Sequence, residues 1–298
     1  MRRRLATLVL VPLLAASCGG SDDAEDASAT TPESTTTTTT TTEAPTTTTE
    51  APAETTTTTT TTTTTVAPDP LLIVVTNDDG VAAPGIDALV TTLSGLADVD
   101  IVVVAPAENA SGSSDTMTDG EVTFATATTV SGVEATAVAG FPADAVLVAI
   151  GELGLEPDLV VSGVNSGQNF GPFAQISGTV GAARTAARNG VPAIAVSAGI
   201  EDPVGFDVAA ALAADWIDLN RRAIEGGTLP LDTVVSFNVP NCVAGTIGDL
   251  VQTELAAEFG DVIPWESDCT VEVAEPPADD VSAVAAGFAT QTSVPIDF

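Results

Sequence analysis

From residue 71 onward, short apolar runs alternate with longer amphipathic stretches. Leu71-Leu72-Ile73-Val74-Val75 is continuously apolar and mostly β-branched, the pattern of a strand buried on both faces. The polar run Thr76-Asn77-Asp78-Asp79-Gly80 ends it. Pro84 suits a first helical turn, and a helix is predicted to about Leu96, with Ile86, Leu89, Val90 and Leu93 on one stripe. Val99 to Ala105 reads as a second strand. Glu121 to Val138 alternates around Ser131-Gly132 and reads as a β-hairpin. Pro142 to Leu153 reads as a helix and Leu159 to Ser162 as a third buried strand. A helix is predicted over Gly178 to Asn189, with Ser177 as N-cap and Gly190 as its stop. Ala193 to Ser197 and Val234 to Val239 are further strands, flanking a helix near Val208 to Ile224. This alternation predicts an α/β fold, a mostly parallel sheet with helices on both faces. Beyond about Asn241 the pattern is less regular and predicts an arm or small subdomain.

The first seventy residues break from this pattern. Arg2, Arg3 and Arg4 precede the apolar run Leu5 to Leu14, which is too short to span a bilayer. Residues 1–17 therefore read as a secretory signal. Leu14-Ala15-Ala16-Ser17-Cys18-Gly19 resembles a bacterial lipobox, in which Cys18 would be lipidated; the alternative is ordinary signal cleavage nearby. Residues 18–70 are Thr-rich with almost no large apolar side chain, and cannot build a core. As a coil they would span about 40 Å. The expected organisation is thus signal, lipid-anchored tether and a globular domain over residues 71–298, exported to the outer face of the cell membrane. An exported chain commonly pairs its cysteines, and only Cys242 and Cys269 follow Cys18. Such a bridge would stabilise the domain by roughly 3–4 kcal/mol on the loop-entropy model.

Charge narrows the partners. The chain carries 41 acidic and 7 basic residues, a net charge of −34. Removing the signal would leave Arg184, Arg188, Arg221 and Arg222 as the basic residues. Such a surface repels nucleic acid polymers and anionic headgroups, so any membrane contact is expected only through a lipid anchor. The acidity fits either a salt-rich habitat or a lineage bias in composition. With no histidine and no lysine, there is no Ser-His-Asp triad, His-ligated zinc, Walker-type phosphate loop or Schiff base. Carboxylates, hydroxyls, amides, backbone N–H groups, a metal and water remain, an inventory that fits metal-assisted hydrolysis or no catalysis.

Four loops carry candidate chemistry. Asp78 and Asp79 sit at a strand end, where open α/β sheets bind ligands. With almost no cations to pair them, they suggest a hard ion such as Mg²⁺ or Mn²⁺; taken alone, the segment reads first as a polar turn leaving a strand, and the later loops reverse that weighting. Both can face one ion only if the strand has ended, which Gly80 permits. Ser111, in a Ser/Gly-rich loop, offers a hydroxyl. Asn165, directly after a buried strand, offers an amide oxygen. Ser177-Gly178-Thr179 opens a helix whose N–H groups and dipole make an anion site, alongside plain capping by Ser177.

Together these segments resemble the SurE survival-protein family of metal-dependent nucleotidases and phosphatases. The resemblance is carried by Asn77-Asp78-Asp79-Gly80 with Ala83-Pro84-Gly85-Ile86, by Ala105-Pro106 through Ser111-Gly112, and by Pro157 through Gly167. Ser177-Gly178-Thr179-Val180 with Gly190-Val191-Pro192-Ala193, and Phe237-Asn238-Val239-Pro240, complete it. It implies a Rossmann-like domain, one divalent metal ion on Asp78, Asp79, Ser111 and Asn165, and phosphate contacts at Asn77, Asn169, Ser177, Gly178 and Thr179. It also implies a homodimer or homotetramer built through the C-terminal arm. Phe141 stands where the family usually has a small hydroxyl residue, and the signal and tether are additions to a typically cytoplasmic family.

The sequence therefore reads as a surface-anchored, metal-dependent phosphomonoesterase acting on nucleoside monophosphates or other small phosphomonoesters. In that reading Asp78 and Asp79 are also catalytic, with Asp78 accepting the proton of the attacking water. A non-catalytic surface binding lipoprotein that keeps the fold is the alternative. A haloacid-dehalogenase mechanism is disfavoured, because its two aspartates are separated by one residue and these are adjacent.

Overall fold

Leu71–Thr76 (β1) lies inside a sheet because both of its faces are apolar. Ile73, Val74 and Val75 are all fully buried, each worth roughly 1.5–3 kcal/mol relative to exposure. The computed structural model describes residues 69–200, 204–263 and 265–298. The signal segment, Cys18 and nearly all of the tether lie outside the described residues. Among the described residues, no helix is long and apolar enough to cross a membrane.

The described residues form nine strands in one sheet. Besides β1 these are β2 (Val99–Pro106), β3 (Thr123–Thr128), β4 (Glu134–Ala139), β5 (Leu159–Ser166), β6 (Ala193–Ala198), β7 (Thr233–Val239), β8 (Gly248–Thr253) and β9 (Phe288–Pro295). Their spatial order is β3-β4-β2-β1-β5-β6-β7-β9-β8. The six from β4 to β7 in that order run parallel, and β3 and β9 pair antiparallel to β4 and β7.

The helices are α1 (Pro84–Leu93), α2 (Pro142–Leu147), α3 (Phe173–Ile176), α4 (Gly178–Arg188), α5 (Phe206–Glu225) and α6 (Asp280–Ala285). Alternation along the strands sends their side chains to two cores. Ile73, Val75, Val103, Val161 and Val196 pack with α1 and α5 on one face. Val74, Val104, Val160 and Ala195 pack with α2 and α4 on the other. Helices thus cover both faces, the layering of a Rossmann-like α/β fold.

Several boundaries differ from the sequence pattern. Strand β5 runs on to Ser166 rather than ending at Ser162, so Asn165 lies within the strand and not directly after it. Helix α1 stops at Leu93 rather than Leu96, where the Ser94 hydroxyl turns back to the Val90 carbonyl at 2.7 Å. Helix α2 ends at Leu147, and the chain continues to Glu152 in a wider turn whose Leu153 N–H reaches the Val148 carbonyl. The largest difference lies after Asn241. Instead of standing apart as an arm, this region returns to the sheet through β9 and adds β8 as an edge strand. Its chain is fastened by the Cys242–Cys269 disulfide, with Cα atoms 5.6 Å apart. Buried Asp280 also accepts the N–H groups of Gly171 and Ala256 at 3.0 and 2.9 Å, tying the segment before α6 to the loop after β5.

This topology places the site. The chain moves outward from β1 through β2 to β4, then crosses back to lay β5 on the other side of β1. The crevice at the carboxyl ends of β1 and β5 is therefore a topological switch point, where doubly wound sheets bind ligands. Asp78 and Asp79 follow β1, and Asn165 lies near the end of β5.

Candidate active site

The turn after β1 is built by Asn77. Its side chain is fully buried, donates to the Gly80 carbonyl at 2.9 Å and accepts the Gly80 N–H at 3.2 Å. Gly80 has φ of 102°, and a Cβ there would sit 3.2 Å from the Glu108 backbone. The turn breaks strand alternation, so Asp78 and Asp79 are both presented at the crevice while their environments differ.

Asp78 is 2 % exposed. Its carboxylate accepts the Thr179 hydroxyl at 2.7 Å and the Thr179 N–H at 3.1 Å. Burial pushes its pKa from 3.8 up to about 6; the charge of Asp79 adds to this and the Thr179 bonds oppose it. Asp79 is only partly buried. It accepts the Asn109 amide at 2.9 Å on one oxygen and the Ser166 N–H at 3.1 Å on the other.

Asn109 does more than hold Asp79. Its amide oxygen accepts the Ser111 N–H at 3.0 Å, an Asx turn that fixes the start of the Ser111 loop. The Ala110 N–H reaches the Asp78 carbonyl at 2.7 Å. The far end of this loop is fastened to α3 and α4: Ser114 donates to the Gln175 carbonyl of α3, and Asp115 pairs with Arg184 and Arg188 of α4 at 2.6 and 2.5 Å. Asn165 is 8 % exposed, and its amide nitrogen is committed to the Gly167 carbonyl at 2.7 Å, leaving the carbonyl oxygen for a cation.

Asp78, Ser111, Asn165, Asn169 and Ser177 line one cavity of about 150 Å³, with Phe173 and Ile176 on its wall. Asp79 and Asn109 line an adjoining, larger cavity, and Ser166 borders both. Two carboxylates, a hydroxyl and an amide oxygen are hard donors of the kind that hold Mg²⁺ or Mn²⁺. The fit rests on Asp78: a buried carboxylate beside a second one, with neither in an ion pair with an arginine among the described residues. Among the described residues there is no cluster of three or more acidic or cysteine side chains that would offer a more anionic metal site.

The family model described as "Survival protein SurE" matches residues 73–259. The chain belongs to the SurE family. It is 36 % identical over 236 residues to "5′-nucleotidase SurE" of Nitrosococcus oceani, covering 74 % of this chain and 89 % of that one. The same-named protein of Methylococcus capsulatus is 39 % identical over 181 residues, covering 60 % and 68 %. The crystal structure of the SurE protein from Aquifex aeolicus superposes with a TM-score of 0.60 at 28 % identity, covering 76 % of this chain and 94 % of that one.

Within this SurE fold, the five residues anticipated as phosphate contacts separate. Asn169 and Ser177 line the small cavity. Asn169 is held there by its amide on Ser197 and by its N–H on Asn238, at 2.9 and 2.6 Å. Ser177 caps α4 by accepting the Val180 N–H at 3.1 Å. Asn77 instead spends its side chain on Gly80. Thr179, fully buried, spends its N–H and hydroxyl on Asp78, so the anion facing this part of the α4 N-terminus is the Asp78 carboxylate. Gly178 provides space: a Cβ there would lie 2.8 Å from Asp78 Cβ and from Ser113 Oγ. Sequence reasoning passed over Asn109 and Ser166. Asn109 carried a usable signal, an Asn two residues before a candidate ligand. Ser166 acts through its backbone N–H, which no side-chain pattern reveals.

Proposed function

We propose that this SurE chain is a metal-dependent phosphomonoesterase that hydrolyses nucleoside monophosphates. The observation that carries the reading is the buried Asp78 beside Asp79 at the switch point, with Ser111 and Asn165 on the same crevice and, among the described residues, no arginine paired to either carboxylate. The 5′-nucleotidase names of the relatives supply the substrate class.

Asp78, Asp79, Ser111 and Asn165 would hold one divalent cation, which supplies Lewis-acid polarisation of a phosphate oxygen and a more acidic water. The chain's own groups do the rest. Ser177 and the Asn169 region bound the small cavity that would receive the phosphoryl group, and Phe173 and Ile176 give it an apolar wall. Asp78, which lines the small cavity, would accept the proton of the attacking water. Thr179 fixes the orientation of that carboxylate through two hydrogen bonds.

The site of action in this proposal is the outer face of the cell membrane. Support comes from Arg2 to Arg4, the apolar run Leu5 to Leu14, and the lipobox-like Cys18 followed by a Thr-rich tether. Phosphate release from a panel of nucleoside monophosphates, with Mg²⁺, with Mn²⁺ and with EDTA, tests the reading. Release that depends on the metal supports it. A folded protein that releases no phosphate under any condition leaves the non-catalytic binding alternative.

A further inference from the structure

In the phosphatase reading the phosphate, metal and water would occupy the small cavity and its mouth, which leaves the rest of a substrate to be placed. The larger cavity adjoins it. This cavity has a volume of about 840 Å³, within the usual range for pockets that enclose a small organic ligand. Asp79 and Ser166 form its inner end, and Ser166 also borders the small cavity, so the two volumes meet at the carboxylate pair. A phosphomonoester with its phosphate in the small cavity would therefore project its leaving group into the large one.

The chemistry of the walls selects that leaving group. Val204 and the half-buried ring of Phe206 give an apolar side, against which a flat heterocycle can stack. The cavity is too large and too apolar there for a glycerol or simple sugar phosphate to fill. At the rim stands Glu108, exposed. Among the described residues neither cavity is lined by an arginine, and the chain has no lysine or histidine. Arg184 and Arg188 are committed to Asp115, and Arg221 to the Ala97 and Asp98 carbonyls. A leaving group bearing its own negative charge would meet Glu108 in a cleft with nothing to neutralise it.

We propose that the cavity beside Phe206 holds the nucleoside of the substrate, and that Glu108 makes it a charge filter, admitting neutral bases and rejecting anionic ones. The inference rests on the phosphatase reading above and adds to it the seat of the base and the residue that sets its selectivity.

Three substrates separate the possibilities: uridine 5′-monophosphate, orotidine 5′-monophosphate, which differs by one carboxylate on the base, and glycerol 3-phosphate, which lacks a base. With Mn²⁺, wild-type kcat/KM should favour the uridine over the orotidine ester at least fivefold, and Glu108→Gln should bring that preference below twofold. Phe206→Ala should lower the uridine-to-glycerol ratio of kcat/KM at least tenfold, chiefly through KM for the uridine ester. Phe206 also packs near Gly85, so Ala82→Trp, which fills the cavity from an exposed position, provides a second variant for the same ratio. A folded Ala82→Trp protein with the wild-type ratio overturns the seat of the base. An unchanged uridine-to-orotidine preference in Glu108→Gln overturns the filter. A wild-type protein that releases phosphate from none of the three overturns the phosphatase reading and the pocket with it.

Discussion

Thr179 donates both its backbone N–H and its hydroxyl to the Asp78 carboxylate, at 3.1 and 2.7 Å. One residue in the first turn of α4 thereby orients the most buried acid of the crevice, 101 positions away in the chain. The two bonds favour the charged form that a metal requires, against a burial that favours the neutral one. Hydrogen bonds to a charged group contribute roughly 1.5–3 kcal/mol. Thr179→Val keeps the shape and the N–H but removes the hydroxyl bond. It should weaken Mn²⁺ binding about tenfold at pH 7 in calorimetric titration, while thermal unfolding stays cooperative. An unchanged Mn²⁺ affinity would show that the hydroxyl has no part in preparing Asp78.

Asp78 itself carries a stability cost in the metal-free protein. Its pKa is raised from 3.8 to about 6, so its folded state favours the proton. That contribution to stability is present below about pH 4 and is lost as pH rises through 6. A rise of this size corresponds to about 3 kcal/mol. Asp78→Asn, in EDTA, should therefore be more stable than wild type at pH 8 by up to this amount, and the gain should vanish near pH 4. Urea unfolding at the two pH values reads it directly. A variant less stable at pH 8 would contradict the assignment.

Asn109 joins Asp79 to the Ser111 loop through its two amide ends. Groups that orient metal ligands typically change affinity by 10–100-fold when removed. Asn109→Ala should weaken Mn²⁺ binding by at least tenfold and leave the melting temperature within a few degrees, since the residue is exposed. Wild-type affinity in this variant would place Asn109 outside the machinery of the site.

Asp115 responds to pH in the opposite sense. Partial burial works against its charge, but Arg184 and Arg188 hold its carboxyl well below the ordinary 3.8. Its stabilisation is complete above that value and is lost as pH falls below it. Asp115→Asn should lower stability at pH 7 and flatten the loss of stability as pH falls from about 4 to about 2. Because Asp115 anchors the loop that carries Ser111, Mn²⁺ affinity should fall as well. A variant with the wild-type acid profile would show that Asp115 has no such role.

Much of this was legible along the chain because it is local. The buried run before Asp78, the stripe Ile86, Leu89, Val90 and Leu93, and the Ser177 cap each declare themselves within one element. What was hidden depends on partners far away. Gly248–Thr253 alternates weakly and is half exposed, so only its pairing with β9 makes it a strand. The α4 N-terminus was recognisable as a place for an anion, but not that Asp78, brought in by β1, meets Thr179 there. Asn77 has the polarity of a phosphate contact, yet full burial beside Gly80 commits it to the turn.

At the centre of the proposed chemistry, the carboxylate pair after β1 would hold a metal on which phosphate ester hydrolysis depends. The most direct measurement compares phosphate release from uridine 5′-monophosphate by wild type and Asp79→Asn, each stripped with EDTA and then titrated with Mn²⁺. Wild-type activity should disappear with EDTA and return with Mn²⁺. Asp79→Asn should stay folded but run at least a hundredfold slower at saturating Mn²⁺. A folded Asp79→Asn protein with near-native activity, or wild-type activity indifferent to EDTA, would contradict this.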